Sequence, residues 1–328
     1  MSVTDFFCLN PKYSTTRMVM KERPKVENGS SAILQGHLFL PRHPQRQGEG
    51  GLRTKGYFKR NIEDKTLVTI ITIVYNRSKY LAQTIESILS QSYNNVEYIL
   101  IDGGSTDGTL DIIRKYEYAI DYWVSEPDSG ISDAFNKGLT ASTGRWINFM
   151  NCADRFASAD SIQNFVANVH DKADVIFGKA NVINNKGKIL LTSGGPFDRK
   201  KFARGRMIPH QSAFHNRHYF HHYGVFDKRL KLAMVYELLL RKRALATVFI
   251  DKTLSSMLAG GVHESEDYLR LREVRMVKRK YCSGVRTSII IEFDYCYALV
   301  RALLKRALNR IGLRRITLKV RQIESKFR

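Results

Sequence analysis

Residues 67–75 read Leu-Val-Thr-Ile-Ile-Thr-Ile-Val-Tyr, a run almost wholly β-branched or apolar. Such a run fits a strand buried on both faces, the kind found inside parallel sheets. The segments after it fix the fold class. Asn76-Arg-Ser78 supplies a helix start, and Leu81, Ile85, Ile88 and Leu89 recur at helical spacing over residues 79–92. A second buried strand, residues 96–101, runs into the polar loop Asp102-Gly-Gly-Ser-Thr-Asp-Gly108. Further strands are predicted at 122–125, 145–150 and 174–178, and helices at 106–116, 131–141 and 160–169. Asn184-Asn-Lys-Gly187 turns a hairpin into 188–192. Strands alternating with helices predict an α/β fold, a mainly parallel sheet covered by helices on both faces. Polar loops at the ends of its strands are where such sheets bind ligands.

Two phosphate-binding schemes are excluded at once. The first strand is followed by Tyr75-Asn-Arg-Ser78, not by Gly-x-Gly-x-x-Gly. The Gly-rich loop at 102–108 lacks a following Lys-Ser/Thr, so it is not a P-loop.

Residues 1–65 are rich in turn and linker chemistry, such as Asn28-Gly-Ser-Ser and Gly48-Glu-Gly-Gly51, and predict a loosely ordered extension with a few docked patches. The main domain is expected over 66–260, with a nucleotide-binding half at 66–154 and an acceptor half at 155–260. A mainly helical pattern is expected from 197 to 258. Residues 261–328 predict a basic helical region. Between Val300 and Arg328 there are ten Lys or Arg and one Glu, and Leu299, Leu303, Ala307 and Ile311 share a helical face opposite Arg301, Lys305, Arg306 and Arg310. That is either a helix lying on an anionic membrane or a solvated face packed on its own domain. No window is apolar enough to span a bilayer, and the first ten residues do not read as a signal peptide.

The net charge of +22 predicts an anionic partner. No helix-turn-helix, RNA-recognition or zinc-finger pattern accompanies it, so nucleic acid is not the expected one. The four cysteines are scattered with no Cys-x-x-Cys, which fits a reducing compartment. His215, His218, His221 and His222 could pair as metal ligands at i, i+3, but no acidic or cysteine partner adjoins them. A wet or phosphate-facing histidine face is the simpler expectation.

Four segments, in order and at characteristic spacing, carry a resemblance: residues 67–77, Ile101–Thr109, Glu126-Pro-Asp-Ser-Gly-Ile131 and Asp133-Ala-Phe-Asn-Lys-Gly138. The stretch from Thr66 to Arg241 resembles the family 2 glycosyltransferases of bacterial polysaccharide synthesis. The resemblance implies a GT-A fold and inverting transfer of a hexose from a nucleoside-diphosphate sugar to a hydroxyl, here of a lipid-linked saccharide. It implies that Asp102 accepts a base N–H, and that Thr72, Tyr75 and Asn76 edge the base and ribose. Asp133, Asn136 and Lys137 are expected at ribose and pyrophosphate. His210 and Gln211, in Pro209-His-Gln-Ser-Ala-Phe214, match a His-Gln segment near the donor phosphates or acceptor.

Two departures accompany these matches. The family's acidic metal motif, Asn-Ala-Asp-Asp, is here Asn151-Cys-Ala-Asp154, leaving Asn151 and Asp154 as candidates for the donor's Mg or Mn. The family's Asp-Tyr-Glu/Asp-Leu-Leu-Leu-Arg is here Val235-Tyr-Glu-Leu-Leu-Leu-Arg241, so the position resembling the general base cannot take a proton. Glu237 is the nearest acid, but two residues along a helix point it about 200° away. The runner-up expectation is therefore a catalytically impaired relative that binds nucleotide or scaffolds an assembly.

Overall fold

The computed structural model describes residues 6–26, 34–205, 207–260, 267–282 and 285–310. Four parallel strands form its centre: β2 (Val68–Val74), β3 (Val96–Asp102), β4 (Tyr122–Ser125) and β5 (Trp146–Phe149). They lie in the order β4-β3-β2-β5. Helices α1 (Ser78–Leu89), α2 (Thr109–Tyr116) and α3 (Ile131–Ala141) make the crossovers. Parallel strands need such connections, so both faces of the sheet are covered. One core gathers Ile85, Ile88, Tyr98 and Ile113. The other gathers Ile71, Ile101, Phe135 and Phe149.

The sheet continues past β5 through β9 (Ala213–Asn216), β7 (Val175–Ile183), β10 (Thr247–Leu258) and the short β6 (Arg155–Phe156). Strand β8 (Ile189–Ser193) closes the expected hairpin on β7. Strand β9 is antiparallel to both its neighbours, and β10 runs parallel to β7. The short helices α4 (Ser161–Val166), α5 (Arg199–Ala203), α6 (Arg217–Tyr223) and α7 (Met234–Leu240) complete this half.

The mainly helical pattern expected over 197–258 is corrected by β9 and by the twelve residues of β10. The latter carries register shifts between Phe249 and Ser255, which break the strict alternation that marks a strand in sequence. The first 65 residues also differ from expectation. Strand β1 (Gly48–Gly50) adds antiparallel to β4. A Cβ on Gly48 or Gly50 would stand 2.8 or 2.7 Å from the Trp123 indole, so these glycines are packing residues rather than linker. Ser14, Thr15 and Thr16 are buried, with the hydroxyls of Ser14 and Thr15 donating to Ile88 O at 2.8 Å and Ala119 O at 2.6 Å. Arg53 reaches under the sheet, pairing with buried Glu97 at 2.5 Å.

At the far end, α8 (Asp267–Tyr281) packs its buried Val277 on the second core. Helix α9 (Val285–Arg310) lies against α8. Residues 311–328 fall outside the described residues, and with them the expectation for Ile311.

Candidate functional site

The polar loops gather where the parallel strands end. Tyr75 follows β2 and is 62% exposed, one of the most open aromatic rings described. Asn76 takes a positive φ of 49°, a conformation Asn tolerates better than most side chains. There its N–H donates to Ser105 Oγ at 2.8 Å and its Oδ1 accepts from Thr106 N–H at 2.8 Å. The two strand-end loops are thereby stitched together. Asp107 adds a third link, accepting from Ser78 N–H at 3.0 Å as it opens α1.

Asp102 stands at the tip of β3 and is fully buried. Its Oδ2 accepts from Ser105 N–H at 3.0 Å and from Ser125 Oγ at 2.6 Å, and Ser105 Oγ donates to Oδ1. Its carboxylate thus organises the loop from beneath. Gly103 lies over it: a Cβ there would stand 2.6 Å from Asp128 Oδ2 and 3.4 Å from the Tyr75 ring. Asp128 therefore faces the same opening as Tyr75. Its Oδ1 accepts from Gly130 N–H at 2.7 Å, and burial pushes its carboxyl upward. Asp128 lies inside the 126–131 motif but is not among the expected site residues. Its position two residues before the Gly130 that opens α3 is the signal in the sequence that could have found it.

Asp133 and Lys137 share one face of α3. Asp133 Oδ2 accepts from Ser129 N–H at 3.0 Å, and Oδ1 pairs with Lys228 at 2.6 Å. Burial would raise the Asp133 carboxyl, but the Lys228 and Ser129 bonds together hold it below its ordinary range. Lys137 Nζ pairs with Glu126 at 2.7 Å and donates to Pro127 O at 2.8 Å. Arg46, from the N-terminal segment, meets the same Glu126 at 2.8 Å.

Two expected contacts are corrected. Thr72 is fully buried inside β2 beside Tyr98 and cannot edge a ligand. A strand apolar on both faces gives no alternation from which to tell which way Thr72 points. Asn136 is buried and turned away: its Nδ2 donates to Phe226 O and its Oδ1 accepts from Phe226 N–H, both at 2.9 Å. It clamps the loop before α7 instead of meeting a ribose.

Three further expected residues do converge. Gln211 Nε2 donates to Asp154 Oδ2 at 2.7 Å, Asn151 Nδ2 approaches the same oxygen at 3.4 Å, and Leu258 N–H donates to Oδ1 at 3.1 Å. Burial pushes the Asp154 carboxyl up to about 6 despite these bonds. Ala153 beside it sits at φ 85°, a strained conformation for a residue with a Cβ. A cavity of about 170 Å³ opens here, lined among others by Lys79, Gln83, Asp154, Arg155 and Asn184. His210 lies alongside Phe149, its ring stacked at 5.7 Å and edged by Phe135.

A divalent cation fits these residues poorly. Asp154 is the one carboxylate of the 151–154 loop, and N–H donors occupy both its oxygens. No group of three His, Cys, Asp or Glu that could hold a metal occurs among the described residues. The histidine face is likewise corrected at His215, which is fully buried against Phe149 and Phe220, with burial pushing its imidazole down to about 4.

The half of the fold expected to face the acceptor meets the strand-end loops at the start of α7. Ser132 Oγ, one residue before Asp133, donates to Leu230 O and lies 2.9 Å from Met234 Sδ. The next residue is Val235, half-buried and packed against the core. Glu237 is 1% exposed. It accepts from Arg241 Nε at 3.0 Å, from Lys280 at 3.1 Å and from Tyr281 Oη. Burial would raise its carboxyl, but Arg241, Tyr281 and Lys280 hold it below the ordinary glutamate range. A carboxylate pinned this way is a poor proton acceptor, so the catalytic role expected of Glu237 gives way to an anchoring one.

Comparison with known proteins identifies the family and the fold. A glycosyl transferase family 2 model matches residues 69–230. An uncharacterized glycosyltransferase of Mycobacterium tuberculosis is 32% identical over 180 residues, which cover 53% of this chain and 68% of the relative. A PGL/p-HBAD biosynthesis glycosyltransferase of Mycobacterium bovis is 30% identical over 171 residues, 51% of this chain and 65% of that one. Among solved structures, a mannosyltransferase of Pyrobaculum calidifontis in complex with GDP-Man and Mn2+ superposes with a TM-score of 0.52 at 16% identity. The superposition covers 76% of this chain and 79% of that one, and it identifies the shared GT-A fold. With its mainly parallel sheet and ordered loop motifs, the chain belongs to glycosyl transferase family 2.

Proposed function

We propose that the chain transfers a hexose, with inversion, from a UDP- or GDP-linked donor to a hydroxyl of a lipid-linked saccharide in cell-surface polysaccharide synthesis. The observation that carries this reading is the convergence of Tyr75, Gly103 and Asp128 at one opening above Asp102. Tyr75 offers an exposed ring on which a base can stack, and the absent side chain of Gly103 lets the Asp128 carboxylate stand beside that ring. Lys137 and Arg46 supply positive charge close by for a diphosphate. The M. bovis relative is named for PGL/p-HBAD biosynthesis, which supports a biosynthetic glycosyl transfer. The expected place of action is the cytoplasmic face of the membrane.

A second reading is favoured by one specific observation. Val235 stands where the general base is expected, and Glu237 is engaged elsewhere. The chain would then bind nucleotide or scaffold an assembly with little turnover. The deciding experiment follows nucleoside-diphosphate release from a panel of UDP- and GDP-sugars with Mg or Mn, for the native chain and Val235→Asp. A restored base is expected to raise turnover by about 10²–10⁴-fold if the native chain lacks one. Turnover by the native chain that Val235→Asp barely changes would assign the base to another residue and support the transferase. Donor binding in both proteins with release only in Val235→Asp would establish the second reading. Absence of donor binding in both would overturn the two together.

A further inference from the structure

Helix α9 has its faces reversed. Against α8 it turns ionic groups: Glu292 pairs with Arg275 and Arg279, and Asp294 pairs with Lys278 at 3.2 Å. Ile291 is the buried apolar residue of that side. Outward it turns Ile289, Ile290, Phe293, Tyr297, Val300, Leu303 and Leu304, each between 46 and 72% exposed. At 100° per residue these seven positions fall within an arc of roughly 140° and run about 22 Å along the axis. Scattered apolar side chains on a surface need no explanation, but a continuous stripe of this size marks a docking face.

Charge indicates what docks there. Helices α8 and α9 contain 11 Lys or Arg against 4 Asp or Glu. Two of those acids are neutralised by the pairs above. A third, Glu273, accepts backbone N–H groups of Lys231, Leu232 and Ala233 at 2.8–2.9 Å. The hairpin therefore presents apolar surface within a strongly cationic field. No helix among the described residues is long and apolar enough to cross a membrane. An apolar stripe with cations around it, too polar overall to span, is the pattern of a helix lying in the plane of an anionic lipid surface.

We propose that the α9 stripe inserts into an anionic bilayer, and that α8 passes the resulting orientation to the candidate active site. The link is physical. Glu273 of α8 caps the start of α7, and Lys280 and Tyr281 hold Glu237 within it. Position 235 lies between these two attachments. A membrane-bound α9 would hold this part of the acceptor half at a fixed attitude to the surface from which a lipid-linked acceptor is presented. That last step rests on the proposed transferase function; the membrane docking does not.

The test uses the full chain in vesicle flotation, with phosphatidylglycerol–phosphatidylcholine vesicles against phosphatidylcholine alone. The native protein is expected to float with the anionic vesicles and to be released by salt. The triple variant Phe293→Ser, Val300→Ser, Leu304→Ser is expected to bind at least about ten-fold more weakly, since acyl-chain contact scales with buried apolar area. These side chains are exposed, so its thermal melt should match the native one. Absence of native binding to anionic vesicles overturns the proposal, as does equal binding by the triple variant. Self-association of the native chain that disappears in the triple variant, without vesicle binding, would mean that a second copy covers the stripe. Sugar-nucleotide turnover measured without vesicles reports the transferase reading separately, so either idea can fail alone.

Discussion

Each half of the molecule is built around a buried glutamate, and the two are held in opposite ways. Glu97, at the start of β3 and at the opposite end of that strand from Asp102, receives Arg53 from the N-terminal segment and the hydroxyls of Thr69 and Thr143. Glu237, in the acceptor half, receives Arg241 from its own helix and Lys280 and Tyr281 from α8. In both, a segment outside residues 69–230 completes a site inside the fold. Glu97 makes no contact with Asp102 or Asp128 among the bonds described. Glu237 is the acid nearest Val235 in sequence, and Arg241, Lys280 and Tyr281 hold it in an anchoring role. Under the proposed function, binding and proton transfer are thus separable: the loops around Tyr75 and Asp128 are held in place, while Val235 stands where the proton acceptor is expected.

Substitutions can break this comparison. The largest effect is expected from Arg53→Ala, which leaves Glu97 charged and buried and should cost about 3–5 kcal/mol in urea unfolding. Glu237→Ala removes the acid and leaves only partly exposed cations, so a smaller loss of about 1–3 kcal/mol is expected, together with protease sensitivity in α8. Equal losses would show that the two anchors are equivalent after all. Both glutamates sit below their ordinary range. Their contribution is complete at neutral pH and disappears as pH falls through that lowered range.

Asp154 should behave in the opposite sense. Its carboxyl is raised from 3.8 to about 6, so the folded state binds the extra proton and stability declines as pH rises across that interval. Asp154→Asn, with the Gln211 amide flipped to suit, should gain up to about 3 kcal/mol at pH 7 and flatten the decline between pH 4 and 6. Donor binding would fall in the same variant if Asp154 serves the donor. A flat native profile would remove the assignment.

Two milder changes sharpen the junction between the halves. Asn136→Ala strands the Phe226 N–H and C=O and should cost about 1–3 kcal/mol, with the loop before α7 exchanging faster with solvent deuterium. Lys228→Ala removes a largely exposed partner of Asp133 and should shift stability by no more than about 1 kcal/mol. Its mark would be a rise in the Asp133 titration followed by NMR.

The parallel centre was legible because each element announces itself locally: buried β-branched runs, helical spacing and glycine-rich loops at strand ends. Asp154, Asn151 and Gln211 were each named from their motifs, but that they meet is seen only in the structure. What escaped depends on distant partners. Asn136 reads as a ligand residue until Phe226, ninety positions away, is seen to take both its amide atoms. Strand β10 hides behind its irregular register. Residues 48–51 read as linker because the reason for their glycines is the indole of Trp123.

That last contact has a practical consequence. Strand β1 seals the open side of β4, and its glycines let the backbone lie flat on Trp123. A chain shortened to begin at residue 66, where sequence similarity suggests a natural start, would uncover both a row of unsatisfied peptide groups and a large aromatic face. Exposed edges of this kind recruit other strands. The span matched by the family model is therefore shorter than the span in which the β4 edge is closed.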